Sequence, residues 1–358
     1  MARCDIASGP DRPSRHAGIL LIVLLLALSL WAAACGVGSA ATPQPTPRLA
    51  PPTQVRTLRG MTFALTPYVF GAWPNPHGFF GPTVGPVRLH YSIPSSLAGN
   101  SPRDSTGVRV VVHHGKIYNM PVAQAQDGLE LLARHRIGGG SVFLTLALRE
   151  GQRLIDTHRT SPSTGSAWWF PYLFPFEEYG DRRLVARPPW YSGMAQGEVL
   201  DLFTQLYGIT KAPKWRVAAA HVFASFLFPL RAGQATIAHP WVDRVIGRNL
   251  WIEEFPMPNP NDDTINGFGF ALIGLTDYAR AFHDKHAQLL AEAGLATWLH
   301  AIPRVRHPGG VMGYSLSHRM DRASGYHRIV ISQLRFLGAV TGDRQFGALA
   351  TVFFDDFH

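Results

Sequence analysis

Cysteine is almost missing from these 358 residues: Cys4 and Cys35 are the only two. Two thiols cannot build a disulfide scaffold or a Cys-rich zinc module. Charged residues are also scarce, at 16%, against 46% hydrophobic residues that include 9 Trp, 10 Tyr and 21 Phe. Such a chain buries enough apolar surface to offset its conformational entropy, which excludes wholesale disorder. Uninterrupted heptads are lacking too, and 35 Gly with 28 Pro argue against a coiled coil. Lysine is nearly absent: four of the 33 basic residues (Lys116, Lys211, Lys214, Lys285), the rest being Arg. The formal charge is still +9, spread along the chain with no basic tail. That balance reflects either an Arg-rich composition or a polyanionic partner, such as nucleic acid, anionic lipid or an acidic polysaccharide.

Familiar catalytic signatures are missing as well. There is no phosphate-cradling Gly loop, no serine nucleophile elbow and no zinc-protease helix. Gly267-Phe268-Gly269 followed by Gly274 opens no strand-to-helix unit. His283 and His286 lie three apart and read better as a solvated helix face than as a metal pair. His113-His114 reads as a strand end. No metal and no cofactor is expected.

The N-terminus carries an export pattern. Arg3, Arg12 and Arg15 precede an uncharged apolar stretch from Gly18 to Ala34, which ends in Ala32-Ala33-Ala34-Cys35. Residues 1–35 therefore read as a lipoprotein signal with Cys35 as the acylated residue; the other reading is an uncleaved anchor, short for a span of about 20 residues. Either places the remaining chain outside the cytoplasm, at a membrane. Residues 36–60, with Pro43, Pro45, Pro47, Pro51 and Pro52, read as a stiff tether.

Residues 61–117 carry short β-like runs such as Val108–His113 and read as a β-rich accessory segment. From 118 to 358 the periodicity becomes helical. Apolar residues at helical spacing predict helices over 122–135, 141–154, 194–207, 268–282, 287–300 and 329–340. A further stretch, 215–230, is apolar nearly all round and predicts a helix buried on both sides. Helical hairpins in succession predict a mainly α fold, an incomplete (α/α) toroid behind the small β-rich segment. Trp168-Trp169-Phe170 interrupts the helices with an aromatic run that suits either sugar faces or the core.

Four stretches stand out: Pro189-Trp190-Tyr191-Ser192-Gly193-Met194-Ala195-Gln196-Gly197-Glu198; Leu250-Trp251-Ile252-Glu253-Glu254-Phe255-Pro256; Thr264-Ile265-Asn266-Gly267 through Leu275; and Gly313-Tyr314-Ser315-Leu316 through Gly325-Tyr326-His327. Together, and in this order, they resemble the C-terminal catalytic region of the D-glucuronyl C5-epimerases, over about 190–346. The resemblance implies inversion of carbon 5 of D-glucuronate within a heparosan-like chain, by removing a proton from one face and returning one to the other. The hydrogen at carbon 5 is acidified by the adjacent carboxylate, so the chemistry needs two acid/base groups and no redox cofactor.

Residue by residue, the resemblance assigns catalysis to Glu254, Tyr314 and Tyr326. It assigns substrate contacts to Asn266, Tyr191, Phe255 and His327, the last either donating to the sugar or capping a helix. Phe255 stands where the family has tyrosine, Val330 where it has a second histidine, and Ser317 where it has arginine. Arg319, Arg322 or Arg328 would then supply the charge. The implied partner is an anionic uronate-containing polysaccharide rather than nucleic acid, with a homodimer left open. A polysaccharide lyase, sharing the first proton abstraction, and a non-catalytic glycan-binding lipoprotein are the alternative readings.

Overall fold

The computed structural model describes residues 43–75, 77–80, 102–178, 184–231, 239–257, 261–318 and 324–357. The export-signal reading, Cys35, Arg319 and Arg322 lie outside them.

Eight α-helices among the described residues make four successive hairpins. They are α1 (Pro121–Arg134), α2 (Ser141–Thr157), α3 (Gly193–Thr210), α4 (Pro213–Phe223), α5 (Ile265–Phe282), α6 (Lys285–Ala301), α7 (Ser324–Thr341) and α8 (Arg344–Phe357). Each odd helix packs on the even helix that follows it, and α1, α3, α5 and α7 also pack on one another in that order. This is an inner row backed by an outer row, the arrangement of an incomplete (α/α) toroid. The burial of each row follows. On α3 every residue from Gly193 to Leu206 is buried, and on α5 every residue from Ile265 to Ala279.

The inner row closes through glycine. A Cβ on Gly274 would stand 1.9 Å from the Gly197 carbonyl oxygen, and one on Gly197 would stand 2.3 Å from the Ala271 Cα. Two of the motif glycines are thus the contact between α3 and α5. Their role is steric; they are not a phosphate cradle.

The apolar stretch over 215–230 does not become a helix buried on both sides. The helix α4 ends at Phe223, a short 3-10 turn follows, and Val217 is 53% exposed. It belongs to the outer row, where one face meets solvent. At the other end, Gly342 takes a left-handed φ of 70° and the Asp343 carboxylate accepts from Gln345 N, so the Thr-Gly-Asp sequence ends α7 and starts α8 as its chemistry requires. His283 closes α5 and His286 lies in the first turn of α6, so the two sit on a connection and not on one helix face.

The strands are short: β1 (Gln54–Leu58), β2 (Met61–Leu65), β3 (Val111–His113), β4 (Lys116–Tyr118), β5 (Phe176–Glu177), β6 (Val185–Ala186), β7 (Leu230–Arg231), β8 (Asp243–Ile246) and β9 (Asn249–Ile252). Consecutive pairs β1–β2, β3–β4, β5–β6 and β8–β9 are antiparallel, and β7 runs parallel to β8. The tether reading of 36–60 is corrected for its described part. The strand β1 lies within it, and residues 44–50 are bound to the helical body. Arg306 donates to Gln44 O and Thr46 Oγ1, and Ala50 N donates to the Gln345 side chain. Proline removes donors from a segment but leaves its carbonyl acceptors, which a guanidinium can take.

Gly274→Ala should force α3 and α5 apart and cost about 1–3 kcal/mol as overpacking. Gly208→Ala, on the same inner row but facing open space, should be neutral or stabilising by about 0.5–1 kcal/mol. Urea unfolding of the two variants checks the contrast.

Candidate active site

The site begins where the β8–β9 hairpin ends. Asp243 pairs with Ile252, and the chain passes directly from β9 into Glu253 and Glu254. Backbone bonds fix this exit: Glu253 N donates to Val242 O at 2.8 Å, and Gly193 N donates to Glu253 O at 2.8 Å. The first turns of α3 and α5 then close on the pair. A Cβ on Gly193 would lie 2.4 Å from the Glu253 carbonyl oxygen, and one on Gly267 would lie 2.3 Å from Glu254 Oε2. Only glycine allows both approaches. The Glu254 carboxyl therefore rests on the N-terminal turn of α5, whose dipole favours the anion.

Burial works the other way. The Glu254 carboxyl is pushed up from the ordinary 4.5 to about 7, chiefly by loss of hydration; hydrogen bonding from the Thr264 and Tyr314 hydroxyls offsets part of that, and the charge of Asp262 adds to it. Its neighbour Glu253 has a different job. It is buried in an ion pair with Arg244, at 2.5 Å to Nε, and Arg244 also pairs with Asp263.

Tyr314 arrives on a segment zipped antiparallel to residues 262–265. Ile265 N donates to Tyr314 O, Leu316 N to Asp263 O and Ser317 N to Asp262 O. Its hydroxyl donates to Glu254 Oε2 at 3.3 Å. Tyr326, in the first turn of α7, sets its ring 4.6 Å from that of Tyr314 at 53°. Burial, with the charges of Glu254 and Glu178, pushes the Tyr326 phenol well above its ordinary value, so it stays protonated; hydrogen bonding with Tyr314 opposes this in part. The buried Glu254 and Tyr314 and the part-buried Tyr326 thus come together at one place.

The other predicted residues fall less uniformly. Asn266 is buried in the first turn of α5 with neither end of its amide partnered; its backbone carbonyl accepts from Gln333. A buried amide in that condition is available to a ligand. Phe255 is buried and stacks on Phe176 at 4.9 Å. With Trp190, Ser192, Met194 and Glu254 it lines a small cleft. Tyr191 does not line that cleft. Its ring packs against Trp169, 5.6 Å between centroids.

His327 is a structural clamp. Its Nδ1 accepts from Met312 N at 2.9 Å and its Nε2 donates to Phe353 O at 2.7 Å, so both ring nitrogens are taken by backbone. The expected contact from His327 to a sugar is therefore corrected: the ring ties α7 to α8. Arg328 is exposed, with its guanidinium over the Phe357 ring at 5.0 Å. It points to the outer row, and the expected charge at the cleft is corrected accordingly. The aromatic run is core as well. Trp169 is fully buried, and Trp168 lies between the His158 and His221 rings.

Sequence reading missed four carboxyl and imidazole groups around Glu254. Glu198, on α3, accepts from Gln126 at 3.0 Å and is pushed well up by burial and by the charge of Glu254. Asp262 accepts from Ser315 Oγ at 2.7 Å and from His318 Nδ1 at 2.5 Å. Burial, with the charges of Asp262, Glu254 and Glu253, pushes the Glu178 carboxyl well up. A signal for Glu198 was present, since it closes the Trp190–Glu198 stretch; the other three had none in local pattern. Among the described residues no group of three or more His, Cys, Asp or Glu side chains is arranged to hold a metal.

Raising the Glu254 pKa has a consequence for stability. Between pH 4.5 and about 7 the unfolded chain releases a proton that the folded chain keeps. Stability is therefore greatest below pH 4.5 and falls as pH rises toward 7, by on the order of 3 kcal/mol from this group. Glu254→Gln should remove that part of the slope, so its stability relative to wild type should rise between pH 4.5 and 8 in paired denaturant titrations.

The chain is 30% identical over 185 residues to the D-glucuronyl C5-epimerase of Caenorhabditis elegans; the match covers 46% of this chain and 28% of that protein. The chain thus accounts for under a third of the length of that relative. Among solved structures, cellobiose 2-epimerase from Spirochaeta thermophila DSM 6192 is 16% identical with a TM-score of 0.45, over 67% of this chain and 59% of that one. The unsaturated glucuronyl hydrolase of Bacillus sp. GL1 is 14% identical with a TM-score of 0.43, over 66% and 61%. Residues 164–353, more than half of the chain and holding Glu254, Tyr314 and Tyr326, match the family described as D-glucuronyl C5-epimerase C-terminus, and the chain belongs to that family.

Proposed function

We propose that this protein is a carbohydrate epimerase, and specifically a uronate C5-epimerase that converts D-glucuronate to L-iduronate in an anionic, heparosan-like polysaccharide. The observation that carries the reading is the convergence of Glu254, Tyr314 and Tyr326 at one place beside a cleft. Glu254, with a pKa of about 7, is half ionised near neutrality and suits a general base.

In this reading the C5–H bond breaks toward Glu254, and its electron pair moves into the uronate carboxylate as an enolate. The Tyr326 phenol then gives its proton to carbon 5 from the other side, leaving a phenolate. Tyr314, bonded to Glu254 and in contact with the Tyr326 ring, orients both. Asn266, whose buried amide has both ends unpartnered, suits a sugar hydroxyl or carboxyl. The rings of Phe255 and Trp190 suit the apolar face of a pyranose. The same proposal places the protein outside the cytoplasm, held at a membrane by lipid on Cys35.

Incubation with heparosan in deuterated water should place deuterium at carbon 5 and yield iduronate, without the ultraviolet-absorbing unsaturated ends that a lyase leaves. Glu254→Gln should lower kcat by about a thousandfold or more, and Tyr326→Phe by about 100-fold or more. The kcat/KM profile should rise with pH through a midpoint near 7, as Glu254 ionises. Cys35→Ser should move the protein from the membrane to the soluble fraction, with loss of label from a fatty-acid precursor.

A further inference from the structure

The first described residues lie on the last hairpin of the row. Gln44 Nε2 donates to Asp355 Oδ2 at 2.9 Å, near the end of α8, and Ala50 N donates to the Gln345 side chain, near its start. Residues 44–50 therefore run alongside α8 as a strap, antiparallel to it. One buried ion pair pins the strap. Arg306 binds Asp356 through Nε at 2.6 Å and Nη2 at 2.9 Å, their side chains only 3% and 2% exposed, and it also donates to Gln44 O and Thr46 Oγ1. Pro43 closes on Gly309, where a Cβ would stand 3.4 Å from the Pro43 ring. These contacts fix where the chain leaves the body: at Pro43, beside the end of α8.

The surface beside that exit is biased in charge. On α7 the exposed positions Arg328, Ser332, Arg335 and Ala339 recur at steps of four, three and four, which makes one stripe. No Asp or Glu occurs on α7. Across α7, α8 and the strap the exposed charged residues are Arg48, Arg328, Arg335 and Arg344 against a single acid, Asp355, which accepts from Gln44. The Arg335 guanidinium lies over the Phe354 ring at 5.1 Å, and that of Arg328 over Phe357 at 5.0 Å. Phe354 is itself exposed. Arginine beside an exposed aromatic ring is a pairing that suits the boundary between water and lipid headgroups. The cleft lies elsewhere: none of the residues that line it belongs to α7, α8 or the strap.

We propose that the α7–α8 face with its strap docks on the anionic headgroups of the bilayer that holds the Cys35 lipid, leaving the cleft open to polymer on another side. This inference rests on the lipid-anchor reading. Pro43 is eight residues beyond Cys35, a reach of at most about 28 Å when fully extended. A folded body of about 300 residues is about 50 Å across, so the side opposite Pro43 cannot touch that bilayer. Among the sides near Pro43, charge selects the one with four exposed arginines. Each arginine adds about fivefold to partition onto an anionic leaflet, within the roughly 10 Å over which salt leaves the field unscreened. A polyanionic sugar chain matches the stripe in charge, but its reacting unit must enter the cleft, which has no residue on this face.

The test uses the full chain, purified with its lipid and reconstituted in vesicles of phosphatidylcholine, alone or with phosphatidylglycerol added. A Ser332→Cys variant carries a fluorophore on the α7 stripe, and a Val142→Cys variant carries it on α2, where Val142 is also exposed. Nitroxide-headgroup lipid in the vesicles quenches a label that touches their surface. Quenching on the α7 stripe should be about fivefold or more stronger in the anionic vesicles than in the neutral ones, and should fall as salt is raised. The label on α2 should be quenched weakly in both. Arg335→Glu with Arg344→Glu, both at exposed positions, should lower quenching to the neutral level, whereas Arg335→Lys with Arg344→Lys should keep it. Both double variants should still float with the vesicles. Equal quenching at the two label positions, or quenching indifferent to charge reversal, would overturn the docking face. Loss of quenching on adding heparosan would assign the stripe to the polymer and overturn it too. Wild type that fails to float would remove the anchor reading itself, and the docking with it.

Discussion

The site depends on how closely a carboxyl can be brought to the start of a helix. Gly193 and Gly267 carry no side chain where α3 and α5 meet the Glu253–Glu254 segment, and any Cβ there would collide with Glu253 O or Glu254 Oε2. Closing that gap strips water from Glu254 and raises its pKa, while the Tyr314 hydroxyl keeps the anion accessible. Burial outweighs the hydrogen bonding, and the balance falls near neutrality. A carboxyl left at its ordinary value would be too weak a base, and one buried without donors would never ionise.

The same constraint explains the inner row. The carboxyl can be gripped from two sides only if α3 and α5 are themselves close, and Gly197 and Gly274 bring them there. Gln196, the neighbour of Gly197, then ties the row to what surrounds it: its amide accepts from Phe170 N and donates to Trp168 O and Ser225 Oγ. The long Trp-Tyr-Ser-Gly-Met-Ala-Gln-Gly run is therefore mostly scaffold. Ser192 caps α3 by accepting from Ala195 N and also lines the cleft.

Much of this was legible in the chain, and the failures share a cause. Helical periodicity placed α1 to α3 and α5 to α7 within a few residues, because an amphipathic or wholly buried helix writes its burial into local spacing. It misjudged α4, where apolar residues continue past Phe223 into a turn and a loop. Motif resemblance brought Glu254, Tyr314 and Tyr326 together. It could not say that His327 has both nitrogens on backbone, or that Tyr191 turns toward Trp169, since adjacent residues on a strand or a helix start face different ways. Glu178, Asp262 and His318 come from three separated segments, each an ordinary polar residue in a loop. Nothing local distinguishes them, and only the fold shows that His318 bonds Asp262 and that Glu178 is buried.

A site built this way carries a cost in charge. Glu178, Glu198, Glu253 and Glu254 are all buried with raised pKa values, and loss of hydration is the first cause in each. In a chain of formal charge +9, a buried acidic group beside a cleft would repel an anionic polymer if every carboxyl were ionised. Burial raises the pKa of each and so disfavours that charge, while the outer surface can remain attractive to a polyanion. Neutral acids also donate hydrogen bonds that carboxylates cannot, which is what the carboxylate of a uronate would require as its negative charge spreads onto oxygen. Where the resemblance implies an arginine this chain has Ser317, so a donor to such a carboxylate would have to come from a neutral acid or from another residue of the site.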